Sequence, residues 1–489
     1  MTQIDILIVG SGITGTSLAR ELSRYKASVL VLDRGPDIAE GATKANSGII
    51  HAGYDAVPGT LKAKYNVTGA AMYESLSRAL GVPYKKCGAL VIGFNAEDRS
   101  TLEHLYSRGL QNGVKNLRLL NHEEVLKKEQ HINQEVLCAL DVPESAIVSP
   151  YEIAYALADD AAMNDVRFLF GQNVKNVFRN ENGEWNVLTD CGGCFSCKVF
   201  VNCAGASGAD IHNMISQTRL HMTNRRGQYY LLDRPSELPF SRTIFQCPSP
   251  MGKGVLISPT VHGNIIVGPN AEDIPDPTDT ATTYKGLDEV LKKATKTWPG
   301  LSLRTNITNF SGIRAHLDTD DFIIGPVPGA MGAFEAIGIE SPGLSSAPAI
   351  AADLSGRIAD YLCLERKKNI VSYTVSGKPF HEMDNDERKA AVESDPLYGN
   401  IICRCETVTE AEIIRAIHRP VGAKTIDGIK RRTRAGMGRC QGGFCSPRVA
   451  QIISNETGIP VSEITKDGGG SRILFGTIDT FLKGESADD

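Results

Sequence analysis

Four cysteines in the C-terminal part of the chain stand at the spacing of metal ligands. Cys403 and Cys405 form C-x-C, 34 residues follow, and Cys440 and Cys445 close a C-x4-C. Four thiolates in one small segment imply zinc or an iron–sulfur cluster. Zinc knuckles usually space their ligands two to four residues apart, and C-x-C departs from that. On an extended segment, period two would turn Cys403 and Cys405 to one face and Arg404 to the other. The second pair sits in Gly436-Met437-Gly438-Arg439-Cys440-Gln441-Gly442-Gly443-Phe444-Cys445, whose glycines allow a tight loop with N–H groups near cluster sulfides. Lys430-Arg431-Arg432, Arg434 and Arg439 surround it. They suit an acidic partner or the cluster's charge, and equally a solvated basic face.

A further run, Cys191-Gly192-Gly193-Cys194-Phe195-Ser196-Cys197, reads as C-x2-C-x2-C. It lies between two apparent strands, EWNVLTD and KVFVNCAG, where Gly-Gly is ordinary hairpin chemistry, and it lacks an adjacent fourth ligand. A turn without metal is expected there.

Near the N-terminus the residue types suit a dinucleotide. Gly10-Ser11-Gly12-Ile13-Thr14-Gly15 follows an apolar strand predicted over 4–9 and opens a helix over 16–25. The next strand, 27–32, ends at Asp33, 18 residues after Gly15. Gly10 permits the tight turn, Gly12 a close approach to a pyrophosphate, and Gly15 tight packing of helix on strand. The helix N-terminus offers N–H donors to phosphate, and Asp33 can accept from ribose hydroxyls. This fingerprint serves NAD and FAD alike. Two segments favour FAD: Val201-Asn202-Cys203-Ala204-Gly205-Ala206, a second approach to the dinucleotide, and Gly338-Ile339-Glu340-Ser341-Pro342-Gly343-Leu344. A helix starting there could offer N–H groups to the pyrimidine edge of a flavin.

The elements that must position these groups suggest an α/β fold: a Rossmann-like FAD-binding domain, an antiparallel-sheet substrate lobe and a small C-terminal iron–sulfur domain. At 489 residues two or three domains are expected. Residues 1–366 form the oxidoreductase unit, its two lobes interleaved and the substrate sheet mainly in 221–320. A long helix is predicted over 347–364, a partly helical linker over 367–398, the cluster domain over 399–455 and a tail over 456–489. Hydrophobic residues at 42% and charged residues at 22% are ordinary for a globular protein, and a net charge of -5 gives no reason to expect nucleic-acid binding. No apolar run approaches the ~20 residues of a membrane span. MTQIDILIVGSG lacks the charged region of a signal peptide, so a cytoplasmic setting is expected, with the twelve cysteines buried, metal-bound or redox-active.

Residues 1 to about 365 resemble the FAD-dependent amino-acid-oxidase-like superfamily. Within it they are most similar to the type II glycerol-3-phosphate oxidases and dehydrogenases, with L-2-hydroxyglutarate dehydrogenases next. The segment Lys44-Ala45-Asn46-Ser47-Gly48-Ile49-Ile50-His51-Ala52-Gly53-Tyr54 carries most of the likeness, joined by Arg225-Arg226-Gly227-Gln228-Tyr229, Gly252-Lys253-Gly254-Val255 and Gly312-Ile313-Arg314. The stretch from Ile402-Cys403-Arg404-Cys405-Glu406 through Cys445 resembles bacterioferritin-associated-ferredoxin-like [2Fe-2S] domains, which also occur fused to anaerobic glycerol-3-phosphate dehydrogenase subunits.

The resemblance implies FAD and a [2Fe-2S] cluster on Cys403, Cys405, Cys440 and Cys445. It implies flavin contacts from Gly10, Gly12, Gly15, Asp33, Arg34, Thr43, Asn46, Ser47, Gly48, Ala204, Gly205, Gly312, Gly338, Pro342, Gly343 and Leu344. His51 is then the expected base for a substrate hydroxyl, since imidazole titrates near neutrality. Arg314 and Lys253 would hold an anionic substrate, with Ser47 and Ser341 as hydroxyl donors. Arg225 and Arg226 are weaker candidates that could instead cap the sheet. The implied activity is oxidation of sn-glycerol 3-phosphate to dihydroxyacetone phosphate, electrons passing to the cluster and on to a partner subunit. That partner would be an NAD-linked flavoprotein or a quinone-linked membrane subunit. L-2-hydroxyglutarate as substrate, a peroxide-forming oxidase, and a non-catalytic electron relay are the rival readings.

Overall fold

The computed structural model describes residues 3–248, 254–375, 377–474, 476 and 478. Its first layer is an eight-stranded sheet whose central strand is Gln3–Val9. Parallel to it lie Val29–Leu32 on one side and Cys194–Asn202 on the other. Uninterrupted apolar runs such as VLVL suit strands covered on both faces, and all four of those residues are buried. Ala333–Ile337 pairs with the C-terminal half of Cys194–Asn202, and the hairpin partner Trp185–Thr189 with its N-terminal half. The helices Ile13–Leu22, Pro150–Ala162 and Gly343–Leu362 stack together against this sheet.

The fingerprint glycines are required by contact. Gly10 has φ +103°, and a Cβ on it would lie 2.3 Å from the Cys203 carbonyl oxygen. A Cβ on Gly15 would lie 1.9 Å from the Gly10 carbonyl oxygen. These contacts press the helix onto the turn and the turn onto the Cys203–Ala204 backbone.

The second layer is a nine-stranded sheet. Met222–Leu232 and Asn306–Leu317 run antiparallel along the whole of the former strand. The sequence places this sheet mainly in 221–320, but Ala89–Gly93, Arg118–Asn121 and Cys138–Val142 also belong to it. It is not purely antiparallel either, because Thr243–Gln246 runs parallel to Ala89–Gly93. Arg226 is buried and pairs with Glu272 at 2.9 Å and Asp279 at 2.7 Å, so it braces the sheet. Gln228, also buried, accepts from the Thr283 N–H at 2.6 Å and so fixes the start of helix Tyr284–Thr297.

The C-terminal module has its own core, running from Cys403 to Ile464. It comprises strands Ile401–Cys403 and Val408–Thr409 and helices Glu410–Ile417, Ile426–Thr433 and Ser446–Thr457. The segment read as a linker carries the helix Asn385–Ser394 with a capping box at Asp384. Upstream it is strapped to the flavin domain, Val371 and Tyr373 donating their N–H groups to Asn164 and Asp160.

Three of the basic residues around the cysteines, Arg431, Arg432 and Arg434, are buried rather than solvated and dock the module onto its own chain. Arg432, with a side chain 0% exposed, donates to both Asp37 carboxylate oxygens at 2.5 and 2.7 Å and to the Val421 carbonyl at 2.9 Å. Its guanidinium lies 4.0 Å from the centre of the Tyr155 ring. Arg431 pairs with Glu40 and donates to the Tyr155 hydroxyl at 2.7 Å and Asp467 at 3.2 Å. Arg434 reaches Glu406 at 2.8 Å and Asn264 at 3.0 Å, and exposed Arg439 pairs with Asp233. The predicted tail joins in, because Asp467 also takes Lys44 at 2.9 Å.

Breaking a buried pair leaves an uncompensated charge, a loss of about 3–5 kcal/mol. Arg432→Met should therefore lower the melting temperature by several degrees and open the 367–400 segment to limited proteolysis. An unchanged melting curve and cleavage pattern would show that Arg432 does not hold the module.

Candidate functional site

A cavity of about 1670 Å³ runs between the two lobes and under the module. It is lined by the fingerprint (Gly10, Gly12), Asp33, Arg34 and Thr43, by Ser47, Gly48 and His51, and by Gly312, Arg314 and Ser341. The Cys203–Ser207 segment and the start of helix Gly343–Leu362 also face it, through Ala204, Gly205, Pro342, Gly343 and Leu344. The long helix thus begins at Gly343, four residues ahead of the predicted start, which brings its N–H groups to the cavity wall.

Asp33 is partly committed inside the protein. One oxygen accepts from the Ser11 N–H at 2.7 Å and hydroxyl at 2.6 Å, the other from the Gly35 N–H at 2.8 Å. The oxygen facing Gly35 has a single donor and keeps acceptor capacity for a ribose hydroxyl. Thr43 Oγ1 accepts from the Ile13 N–H at 2.9 Å, tying the 40–46 segment to the helix start. Asn46 lines the cavity and also braces this loop, its amide bonded to the Ala42 and Thr43 carbonyls and the Gly48 N–H. Gly338 is not in the cavity wall; it turns the chain at φ +67°, where a Cβ would lie 2.3 Å from Leu317 Cδ1.

His51 is buried. Its N–H donates to Ser345 Oγ at 2.7 Å, its carbonyl accepts from Asn66, and its ring lies 5.6 Å from that of Phe245. Arg314, across the cavity, donates to the Asn270 carbonyl at 3.4 Å. Gly227 leaves it room, since a Cβ there would lie 3.0 Å from Arg314 Nη2. Arg225 lines the cavity too, but Asp273 engages it at 2.6 and 3.2 Å. Lys253 lies outside the described residues. Tyr229 and Phe310, stacked at 4.8 Å, add an apolar wall.

Residues that no local pattern in the sequence singles out complete the lining. Glu340 lies 2.8 Å from Lys62 and 2.9 Å from His316. Burial works against its charge, but these two partners outweigh it and hold the carboxyl below its usual range. From the C-terminal module, Lys430, Arg434, Met437, Gln441 and Lys466 face the same cavity. Met437 Sδ lies 3.7 Å from the Tyr151 hydroxyl.

The cysteines pair crosswise. Cys405 Sγ lies 3.7 Å from Cys440 Sγ, and the Cys445 thiol donates to Cys403. The C-x-C therefore does not share one face of an extended segment. The strand ends at Cys403 and residues 404–407 form a turn, leaving Cys403 buried and Cys405 exposed. Among the described residues no three cysteine sulfurs lie mutually within 4.8 Å. Zinc, with Zn–S near 2.3 Å, would draw four thiolates to within about 4 Å of one another. Cys403, Cys405, Cys440 and Cys445 would together hold a [2Fe-2S] cluster, which takes four thiolates over two irons. The Cys191–Cys197 turn is a hairpin with diverging thiols: Cys197 is buried and donates to the Trp185 carbonyl, while Cys191 bonds Thr189 and Gln172.

Residues 5–357 match the family model of FAD dependent oxidoreductases, and residues 401–455 that of BFD-like [2Fe-2S] binding domains. The glycerol 3-phosphate dehydrogenase of Caloramator mitchellensis is 46% identical over 475 residues, covering 96% of this chain and 98% of that one. The glycerol 3-phosphate oxidase of Mycoplasma genitalium is 32% identical over 377 residues, covering 76% of this chain and 97% of its own. The structure of dithionite-reduced L-α-glycerophosphate oxidase from Mycoplasma pneumoniae with FAD bound superposes with a TM-score of 0.73 at 31% identity, covering 77% of this chain and all of that one. The glycine cradle, the cavity and the paired thiols fit both cofactors. The chain belongs to the FAD-dependent oxidoreductases and carries FAD together with a C-terminal [2Fe-2S] domain.

Proposed function

We propose that the chain is a dehydrogenase that oxidises sn-glycerol 3-phosphate to dihydroxyacetone phosphate. The observation that carries this reading is the single cavity in which the buried His51 and the guanidinium of Arg314 face a dinucleotide cradle. The likeness to the Caloramator dehydrogenase, which spans the iron–sulfur module as well, supports it. Bound FAD supplies the hydride acceptor, and the [2Fe-2S] cluster a carrier of single electrons. His51 takes the hydroxyl proton as hydride leaves the same carbon. Arg314, with Lys253, holds the phosphate through its planar fork of donors, and Ser47 and Ser341 orient the hydroxyls. Tyr229, Phe310 and Phe245 keep water from the reacting carbon.

In this reading electrons leave at the exposed edge of the cluster. Cys405 is exposed there, Phe444 is 87% exposed, and Arg404 is exposed between the two N-terminal ligands. The acceptor we favour is a separate NAD-linked flavoprotein subunit. No helix among the described residues is long and apolar enough to cross a membrane, so a quinone route would need a membrane subunit.

Anaerobic addition of glycerol 3-phosphate to the isolated chain should bleach its flavin absorbance, whereas L-2-hydroxyglutarate and amino acids should not. Bleaching by L-2-hydroxyglutarate instead would transfer the assignment to that acid, and no bleaching by any of them would favour the relay reading. Rapid oxygen consumption with peroxide formation would indicate an oxidase. His51→Ala should keep FAD bound and slow flavin reduction about 10²–10⁴-fold; an unchanged rate would remove it as the base. Cys440→Ser should leave substrate bleaching intact and abolish electron delivery to an external one-electron acceptor, and normal delivery would refute exit through the cluster.

A further inference from the structure

The iron–sulfur module forms part of the wall of the flavin cavity, and one of its cations there has no ion-pair partner among the described residues. The segment Glu40–Lys44 separates the module from the dinucleotide fingerprint. Its inner side is at the helix start, where Thr43 accepts from Ile13 and a Cβ on Gly12 would lie 3.2 Å from Thr43 Oγ1. Its outer side is gripped by the module through the pairs Arg431–Glu40 and Lys44–Asp467, beside Arg432–Asp37.

Almost every charge in this contact is matched. Arg431 has Glu40 and Asp467, Arg432 has Asp37, and Lys466 has Asp427 at 2.8 Å. Lys430 is the exception: among the described residues its ammonium has no ion pair and no hydrogen bond. It is half-buried and faces the cavity, and its stem passes the cysteine loop, since a Cβ on Gly436 would lie 4.0 Å from Lys430 Cδ. Burial pushes this ammonium below its ordinary range, with Lys466 and Arg431 adding to the effect and Asp427 and Asp467 opposing it. An ammonium drawn out of water beside two other cations is costly unless an anion meets it.

We propose that Lys430 is a phosphate contact of the flavin cavity, donated by the iron–sulfur module, so that anion binding in the cavity and docking of the module support each other. Two phosphoryl groups share the required chemistry. The FAD diphosphate is favoured because the gripped segment abuts the helix start, and this source does not depend on the substrate proposed above. The phosphate of the substrate, which does rest on that proposal, is the other.

The test uses full-length protein with its cluster, comparing wild type with Lys430→Met and Lys430→Arg. FAD dissociation constants come from flavin fluorescence, KM for glycerol 3-phosphate from anaerobic reduction, and cluster absorbance reports on the module. Loss of a charged hydrogen bond should weaken binding roughly tenfold or more, with Arg restoring most of it. A weaker FAD constant in Lys430→Met identifies the diphosphate; an unchanged FAD constant with a raised KM identifies the substrate phosphate. If neither constant moves while the cluster stays intact, the proposal is overturned. Should Lys430→Met lose its cluster, acetylation of Lys430 in the wild-type protein decides instead. Protection by FAD or by inorganic phosphate supports the contact, and equal labelling with and without both refutes it.

Discussion

A guanidinium taken wholly out of water needs a partner of fixed position, and Arg432 finds it in Asp37, with Tyr155 beneath and the Val421 carbonyl alongside. Such a pair gains little net stability over apolar packing, because both groups surrender their hydration. Its value is geometric: Asp37, Glu40 and Asp159 each meet an arginine of the module, and the module's Glu406 meets Arg234 in return. That placement brings the cysteine loop to the same cavity as the fingerprint, so the cluster domain cannot drift as a tethered bead would. Arg419, bonded to Asp159 at 2.6 Å, extends the contact to the helix Pro150–Ala162.

Crosswise pairing of the cysteines gives the cluster site two unlike ends. Cys403 and Cys445 belong to the module's apolar core, whereas Cys405 and Cys440 stand toward solvent. Burial and solvent exposure are among the levers that set cluster potential. A cluster held by these four thiols would therefore take two ligands from a dry core and two from nearer the solvent.

Much of the flavin domain was legible in the sequence because its determinants are local. A buried parallel strand reads as an unbroken apolar run, and the three fingerprint glycines answer to contacts within one turn and its neighbour. The hairpin at Gly192 was legible for the same reason. The C-x-C was misread because period two holds only while a strand continues, and this one stops at Cys403. Gly338 looked like a cavity residue by position, but where it sits depends on which way a turn faces. Gln228 and Arg226 belong to a matching motif yet hold up a sheet. Least legible was the docking of the module. Arg431 and Glu40 are remote in sequence, and a run of basic residues looks the same whether it meets water, a partner or its own chain.

The strand order also bears on how the chain is made. Gln3–Val9 pairs with Cys194–Asn202, and Ala89–Gly93 with Thr243–Gln246, so both sheets join early segments to late ones. Non-local pairings of this kind are slow to form and leave strand edges uncovered until their partners exist. During synthesis the nucleotide-binding strand must wait for nearly half of the chain to emerge before its second neighbour is available. The module gathers its apolar core within 403–464, but its buried Arg431 and Arg432 find their carboxylates at Glu40 and Asp37, far upstream. It follows the flavin domain in the chain, so the carboxylates that receive Arg431 and Arg432 are synthesised before those arginines are.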